Sequence, residues 1–189
     1  MIRLCLLLLA ALLGACAHPI NISPVSSPVR DESHLINKRV AYVITDEQRN
    51  KVVTTNGGGG DNVSYYPYRD IEKAVRDALR AVYKEVFVVK SLSDFKADTS
   101  QASLVFTPEI STSSSSSSML TWPPTQFFIN LECVAADANG EVVSKLRISG
   151  NGSAEFSEFK NDFGLAGRRA SSELANKLVK EILATPALQ

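Results

Sequence analysis

The sequence has 189 residues, of which 44% are hydrophobic and 21% are charged. These proportions are typical of one soluble globular domain, and they exclude a disordered chain and a multi-span membrane protein. Twenty lysine and arginine residues balance 20 aspartate and glutamate residues. Because binding to a nucleic-acid backbone requires a surplus of basic residues, this zero net charge argues against nucleic acid as a partner.

Residues 1–15 have the pattern of a secretory signal peptide. Arg3 is their only charge, an apolar run extends over Leu4–Leu13, and small residues then lead to Cys16. The run is shorter than the ~20 apolar residues that are needed to cross a bilayer. The four residues 13–16 (LGAC) resemble the lipobox of bacterial lipoproteins.

The lipobox resemblance implies that residues 1–15 are removed and that Cys16 becomes the first mature residue. Acyl chains such as palmitate would then anchor Cys16 stably in a membrane, since two or more chains suffice for stable anchoring. In the sorting rule of bacterial lipoproteins, aspartate after the lipidated cysteine favours the inner membrane. Ala17 therefore predicts the periplasmic side of the outer membrane. The alternative is an ordinary cleaved signal peptide that ends near a cysteine by chance.

Residues 16–37 are predicted to form a tether that begins at the lipidated Cys16. The segment contains Pro19, Pro24 and Pro28, with serine and asparagine between them. A chain of this composition is extended and semi-rigid, and 21 residues at about 3.1 Å each would reach roughly 65 Å. We therefore expect the tether to hold the domain away from the membrane.

The periplasmic domain is predicted at residues 38–184, with a short tail at 185–189. A β-branched run at Arg39–Thr45 predicts a buried first strand, and a short strand is expected at Lys51–Thr55. The four consecutive glycines Gly57–Gly60 follow, and they predict a mobile loop rather than a phosphate-binding loop, since no Lys-Ser/Thr or G-x-G-x-x-G pattern accompanies them.

The first long helix is predicted over about Arg69–Lys84, where apolar residues from Ile71 to Val82 share one continuous face. A strand at Val86–Val89 follows almost at once. Strand, helix and strand with so short a return predict a right-handed crossover, which makes the two strands parallel.

The remainder of the chain is predicted to be mostly antiparallel. Strands are expected from Leu104 towards Ile110, at Gln126–Ala136 and at Glu141–Ser149, with a bend and a further strand at Ala154–Phe159. A second helix is expected over about Leu165–Leu183. The order β-α-β-β-β-β-α predicts a single α+β domain, with a mixed β-sheet and two helices packed on one of its faces.

The serine tract, Ser111–Ser118, is the first feature with functional interest. Polyserine hydrogen-bonds locally to its own backbone, so a flexible hairpin loop is one interpretation. Trp122, the only tryptophan of the chain, follows it and precedes Pro123 and Pro124. Because tryptophan is enriched in binding hot spots, Trp122 is a possible interaction residue. The other interpretation of Trp122 is a plug at one end of the sheet.

Three tyrosines, Tyr65, Tyr66 and Tyr68, precede the first long helix. They are the second group of possible interaction residues, as a recognition surface for a sugar or a peptide. The alternative is that they staple a loop onto the core while their hydroxyl groups stay hydrated.

Catalysis is not expected from the sequence. His18 lies in the tether and His34 near its end, where neither can be held in a defined triad. Ser93–Lys96 and Ser157–Lys160 match a Ser-x-x-Lys pattern, but we expect them in a loop and a strand, whereas that motif opens a helix. Cys133, the one cysteine of the predicted domain, is expected to be a buried structural thiol. Neither metal-binding nor cofactor-binding motifs occur.

The layout resembles small periplasmic lipoproteins of the YajG type, and it also looks like the outer-membrane lipoprotein partner of the lipopolysaccharide translocon. The resemblance rests on the lipobox at 13–16, on Asp46–Arg49 (DEQR) after the first strand, and on the order of elements over residues 38–184. It implies a non-enzymatic role in assembling or plugging an envelope complex. Because the serine and glycine tracts depart from these families, Cys16 is the only functional residue that it transfers.

Two functions follow as hypotheses. The first is an accessory or assembly module that is anchored to the outer membrane and docks on an envelope protein through a sheet edge or its loops, with Trp122 at the contact. The alternative is a binder of lipopolysaccharide or peptidoglycan that uses the three tyrosines with Arg168 and Arg169. A hydrolase is a remote third possibility.

Overall fold

The computed structural model describes residues 17–97, 102–117 and 119–189. The predicted signal peptide and Cys16 lie outside the described residues, as does Ser118 of the serine tract. Within the described ranges, none of the helices is both long enough and apolar enough to cross a membrane.

The described residues form eight strands and four α-helices. The strands are β1 His18–Pro19, β2 Ile36–Val43, β3 Val53–Asn56, β4 Asn62–Tyr65, β5 Tyr83–Val89, β6 Leu104–Ser115, β7 Gln126–Asp137 and β8 Val142–Ser153. The α-helices are α1 Asp46–Asn50, α2 Pro67–Val82, α3 Leu92–Ala97 and α4 Leu165–Ala184, and 3₁₀ helices lie at Phe156–Asn161 and Pro186–Leu188.

A five-stranded mixed sheet with the order β5-β2-β6-β7-β8 forms the centre of the domain. Strand β2 is parallel to both β5 and β6, whereas β6, β7 and β8 are antiparallel to their neighbours. Helices α2 and α4 cover one face of this sheet, as their contacts with each other and with the central strands show. The predicted α+β domain, with two long helices on one face of a mixed sheet, is confirmed.

The core lies between this sheet and the two long helices. Its helical side consists of the apolar stripe that the sequence predicted on α2 together with the stripe on α4, and both are buried. On the sheet side, alternate residues of each strand point inward, as the two-residue period of a strand requires. The largest fully buried side chains are Tyr65, Tyr83, Phe106, Phe127, Ile22, Ile44, Ile71, Leu79, Ile129, Leu131, Leu174 and Leu178.

Two local predictions are wrong because short helices replace the expected loop and strand. Ser93–Lys96 lies within α3, whose Phe95 is buried against Val43 and Val105 on the second face of the sheet. Residues expected as a strand at Ala154–Phe159 instead enter the 3₁₀ helix Phe156–Asn161, because β8 continues without a bend to Ser153. Helix α3 therefore covers part of the second face near β2.

A second, three-stranded sheet of order β1-β4-β3 was not predicted. Strands β3 and β4 form an antiparallel hairpin around the glycine loop, and β1 adds to β4 in parallel. The backbone N–H of Ile20 continues this pairing by donating to the carbonyl oxygen of Ser64 at 2.9 Å. This small sheet packs against the second half of β6.

The predicted tether is part of the folded domain, at least from His18 to Arg30, and this corrects the expected free spacer. Ile22 is completely buried between α2 and α4. Its backbone N–H donates to Asp70 Oδ2 at 3.3 Å, and its carbonyl oxygen accepts from Ser171 Oγ at 2.6 Å. Ile22 therefore has a buried side chain and hydrogen-bonded backbone N–H and carbonyl groups, as a residue of the core has.

Further contacts hold the rest of this N-terminal segment, which we define as residues 17–30, against the helices. The backbone N–H of Ser26 donates to Ser172 Oγ at 3.1 Å. The Arg30 guanidinium donates to the carbonyl oxygens of Arg80 and Tyr83, where α2 ends. A cation that binds the last carbonyls of a helix is stabilising there because it also opposes the helix dipole.

The serine tract is strand rather than flexible loop as far as Ser115. Residues 111–115 pair with 126–130 of β7 in regular antiparallel register. Successive side chains of this strand point to opposite faces of the sheet. Ser114 points inward and is buried, whereas Ser113 is exposed on the other face. The small polar residues on the inner side allow the three-stranded sheet to approach β6 closely.

Replacement of Ser114 by alanine is expected to cost about 1 kcal/mol of unfolding free energy. The Ser114 hydroxyl donates to the carbonyl oxygen of Asn56 and bonds to Thr55 Oγ1, both at 2.6 Å. The matched control is Ser113→Ala, which we expect to stay within about 0.5 kcal/mol of the parent because its side chain is exposed. Urea unfolding measures both, and equal effects of the two changes would contradict the assigned register.

Candidate functional site

Trp122 lies in the loop between β6 and β7, and the glycine loop supports it. The backbone N–H of Gly58 donates to the Trp122 carbonyl oxygen at 2.8 Å. A Cβ atom on Gly57 would lie only 2.2 Å from that same oxygen, so a residue with a side chain would force the two loops apart. The glycine tract that was expected to be a mobile loop is thus a hydrogen-bonded base for the tryptophan.

Two aromatic rings from distant parts of the chain contact the Trp122 indole. The His18 ring stacks on it, with centroids 4.2 Å apart and an interplanar angle of 21°. The Phe163 ring lies 4.7 Å away at 48°. His18 Nε2 also lies 3.7 Å from Asp61 Oδ2. Three segments that are distant in the sequence therefore meet at Trp122: strand β1, the loop after the serine tract, and the residues that precede α4.

Large apolar side chains surround this point and remain exposed to solvent. We define the Trp122 patch as Met119, Leu120, Trp122, Phe156 and Phe163. Met119 and Leu120 are 88% and 95% exposed, Phe156 is 68% exposed and Phe163 is 45% exposed, while Trp122 is half-buried. A shallow cavity of about 270 Å³ opens between the loop and the two phenylalanines. Clustered exposure of this kind marks an interaction surface or a membrane contact.

The second face of the sheet over β6, β7 and β8 is the other surface that is open. Most of its exposed side chains are polar, although the ring of Phe128, which pairs with Ser113 and Asn151, is 38% exposed among them. We call the polar residues of this surface the open sheet face: Ser111, Ser113, Asn130, Glu132, Arg147, Ser149 and Asn151. A concavity of about 510 Å³ lies over its middle. Arg147 Nε and Glu132 Oε2 form a cross-strand ion pair at 2.9 Å there.

The outer edge of β8 is less available than the sequence suggested. Side chains of α4 reach over it and bond its backbone: Lys177 donates to the Ser149 carbonyl oxygen at 2.9 Å, and Glu173 accepts from the N–H of Asn151. Edge strands that are covered in this way do not accept a further strand. The predicted docking by a sheet edge is therefore blocked along this half of β8.

The tyrosine cluster is divided between core and surface. Tyr65 is buried and its hydroxyl bonds to Thr112 Oγ1 at 2.8 Å, while burial raises the pKa of its hydroxyl. Tyr68 is also buried and donates to Glu109 Oε2 at 3.0 Å. Only Tyr66 is partly exposed, with the Arg69 guanidinium 3.6 Å above its ring. Tyr65 and Tyr68 staple the segment before α2 onto the core.

The two arginines of the polymer-binding hypothesis are engaged within the domain. Arg168 Nη1 bonds to Asp162 Oδ2 at 2.6 Å, and its Nε donates to the Ser23 carbonyl oxygen. Arg169 pairs with Glu158, and this bond lowers the pKa of the Glu158 carboxyl to about 2. These arginines hold the N-terminal segment and the 3₁₀ helix against α4 instead of forming one surface with the tyrosines.

Cys133 is confirmed as a buried thiol. It lies on the core side of β7 with no exposed surface, and burial raises the pKa of its thiol to about 12. Because the thiolate is the reactive form, a thiol with such a pKa is not a nucleophile at neutral pH. In the described part of the chain, no group of three His, Cys, Asp or Glu side chains is placed to hold a metal ion.

Sequence reasoning found the centre of the Trp122 patch but missed most of its members. Trp122 was singled out because it is unique and follows the serine tract. His18 was assigned to the tether and Phe156 to a predicted strand, while Phe163 lay between two predicted elements and was not singled out. None of these three residues has a local sequence pattern that marks it. Each becomes a functional candidate only because the fold brings it next to Trp122, from more than 30 residues away in the sequence.

Comparisons with known proteins establish similarity of fold. No family model matches the sequence, and no curated protein matches it. The fold is similar to that of protein XCC0632 from Xanthomonas campestris, of the family DUF330, with a TM-score of 0.52 and 11% identity over 89% of this chain and 93% of that one. At this identity the likeness concerns the fold alone.

Two further solved structures are more distant. The PelC dodecamer from Paraburkholderia phytofirmans gives a TM-score of 0.42 at 14% identity, covering 82% of this chain and 93% of that one. A candidate lipoprotein from Caulobacter crescentus gives 0.38 at 14%, covering 76% and 90%. Scores this low carry no argument about this chain. The resemblance to YajG-type lipoproteins stays a prediction.

Proposed function

We propose that this chain is a non-catalytic lipoprotein of the bacterial envelope. Cys16 would anchor it to the periplasmic side of the outer membrane, and the domain would serve as an accessory or assembly module of an envelope complex. The observation that carries this proposal is the open sheet face. The opposite face is filled by α2 and α4, whereas the polar surface over β6–β8 is exposed.

The chemistry of the open sheet face favours a protein partner over a small molecule. Its serine and asparagine side chains offer hydrogen-bond donors and acceptors on a flat surface, which is the character of a hydrated protein interface. These residues extend over about five positions of three neighbouring strands, which is an area of roughly 17 by 15 Å. This area is below the ~800 Å² that each partner buries in a standard interface, so a contact confined to it is transient.

Anchoring is supported by the sequence at the N-terminus and by the fold that follows it. The residues that resemble a lipobox would make Cys16 the acylated residue, and strand β1 begins two positions later in the sequence, at His18. The non-catalytic part of the proposal is supported by Cys133, whose buried thiol remains protonated. We do not retain polymer binding, because Tyr65, Tyr68, Arg168 and Arg169 have partners inside the domain.

Site-specific photo-crosslinking in intact cells tests the docking surface. A photoreactive residue at Asn130 or at Ser149, both exposed on the open sheet face, is expected to capture one dominant envelope protein. The matched control is Glu181, which is exposed on α4 and should capture that protein at least about tenfold less, because its side of the domain is not at the contact.

Mass spectrometry of the adducts identifies the partner in each case. Equal capture from Asn130 and Glu181 would contradict a defined interface. Adducts of polymer alone would move the function to lipopolysaccharide or peptidoglycan binding.

A further inference from the structure

The position of Cys16 relative to the Trp122 patch has a consequence for how the domain sits on its membrane. His18 is held in place twice, by stacking on Trp122 and by the pairing of β1 with β4. Cys16 precedes His18 by two residues, and two residues of chain span at most ~7 Å. The acyl chains proposed at Cys16 must therefore start beside the Trp122 patch, not at the far end of a 65 Å tether.

We infer that the Trp122 patch is a membrane-contacting surface and that its occupant is the bilayer in which the acyl chains of Cys16 are embedded. This inference rests on the proposed acylation of Cys16. The domain lies directly on the membrane, with Met119 and Leu120 projecting farthest into the lipid. Trp122 itself lies at the boundary of headgroups and acyl chains.

The composition of the patch suits this position. Four large apolar side chains are exposed together, and burial of each in hydrocarbon removes apolar surface from water. Tryptophan and phenylalanine are typical of surfaces that lie at the membrane interface. Because the acyl chains already hold the protein at the bilayer, the effective concentration of lipid is high, and even a weak intrinsic affinity of the patch is sufficient.

The charges beside the patch distinguish apolar insertion from electrostatic adsorption. Asp162 pairs with Arg168 at 2.6 Å, Glu158 pairs with Arg169, and His18 lies 3.7 Å from Asp61. A polybasic surface would attract anionic lipids through unpaired cations. These pairs leave no such excess among the groups named, so contact is expected to depend little on lipid charge or on salt.

A protein partner fits this surface less well than lipid does. A partner docked on the Trp122 patch would have to share the space with the acyl chains that leave the protein at Cys16. The open sheet face, which we propose for the protein partner, lies on the side of the sheet that is turned away from the core. One end of the domain thus contacts the membrane and a separate surface is left for assembly.

Trp122 fluorescence tests the inference directly, because it is the only tryptophan of the chain. The full-length acylated protein is reconstituted in vesicles of phosphatidylethanolamine and phosphatidylglycerol that contain a brominated phosphatidylcholine. We expect Trp122 emission to shift to the blue and to be quenched more strongly by bromine near the headgroup end of the acyl chain than by bromine near its terminus. Added salt should leave the quenching unchanged.

Three variants supply the comparison. Leu120→Glu and Phe156→Glu place a carboxylate in the patch at exposed positions, so neither should disturb folding, and each is expected to lower the quenching at least about threefold. The control is Val142→Glu, which is 55% exposed at the opposite end of the β7–β8 hairpin and should quench like the parent.

Each other result overturns the inference. If the acylated protein is bound to vesicles but its Trp122 emission is not quenched, the membrane contact of the patch is contradicted, whereas the lipid anchor is not. A blue-shifted but unquenched Trp122 would mean that the cavity holds a second copy of the chain or the protein's own acyl chain. The mass of the N-terminal peptide separates these results from a failure of the proposed function, since an unmodified Cys16 would remove the anchor and the inference together.

Discussion

Truncation of Ile22 to alanine is expected to lower the free energy of unfolding by about 2–5 kcal/mol, the usual cost of such a change in a packed core. Ile22 is completely buried although it lies in the segment predicted as a tether. Its Cγ2 atom lies so close to α4 that a Cβ atom on Gly167 would come within 2.4 Å of it. A side chain fitted this tightly leaves a cavity when it is removed, because the helices on either side cannot close fully.

The measurement is urea unfolding of the non-acylated chain from residue 17 onward. Val29→Ala is the matched control: it lies in the same N-terminal segment but is 89% exposed, and its change is expected to be within about 0.5 kcal/mol. A tether that behaves as a free spacer would give the same small effect at both positions. Equal stabilities of the two variants would therefore contradict the packing of the N-terminal segment.

The packing of the N-terminal segment against the helices could not be predicted, because no local hydrophobic periodicity in the sequence indicates it. Ile20 and Ile22 alternate correctly for a strand, but prolines on both sides shorten the pattern to a few residues, and composition then favours a linker. What buries Ile22 is a gap between two helices, at Gly167 on α4, more than 140 residues away. The long elements were predictable for the opposite reason, since α2 and β2 each carry their own uninterrupted pattern.

The strand at the serine tract also could not be predicted from local sequence, in this case because the residues are polar. Serine hydrogen-bonds to its own backbone and has no strong preference for a strand, so residues 111–115 give a loop-like local signal. Pairing with β7, whose aromatic and β-branched residues strongly favour a strand, overrides that preference. Of the Trp122 patch, only Trp122 itself was predictable from the sequence, whereas Phe156 and Phe163 became part of the patch only through the tertiary fold.

Replacement of Asp70 is the second change with a large expected effect on the free energy of unfolding, because this buried residue accepts a hydrogen bond from the backbone of Ile22. Its carboxylate is 3% exposed and accepts the N–H of Ile22 at 3.3 Å and the side-chain amide of Asn21 at 3.4 Å. Asp70→Ala is expected to be about 1–3 kcal/mol less stable than Asp70→Asn, since alanine leaves a buried N–H without an acceptor. The asparagine oxygen can still accept that bond.

The same residue predicts a pH dependence of defined sign. Burial raises the pKa of the Asp70 carboxyl in the folded protein above its ordinary value, and this effect exceeds the opposing influence of the Ile22 N–H and of Arg69, whose Nε lies 3.7 Å away. The folded state then binds its proton more tightly than the unfolded state does. The contribution of Asp70 to stability is full below about pH 4, the unfolded pKa, and is lost as the pH rises through the higher folded pKa.

Unfolding free energies of the parent and of Asp70→Asn, measured from about pH 3 to pH 8, isolate this contribution. Other carboxyl groups, such as Glu72 beside Arg49, have lowered pKa values and gain stability over the same range, but they titrate alike in both proteins and cancel in the difference. The parent should lose stability relative to Asp70→Asn as the pH rises above about 4 and then level off. A difference that stays constant with pH would mean that Asp70 keeps an ordinary pKa, and hence that the N-terminal segment does not shield it from water.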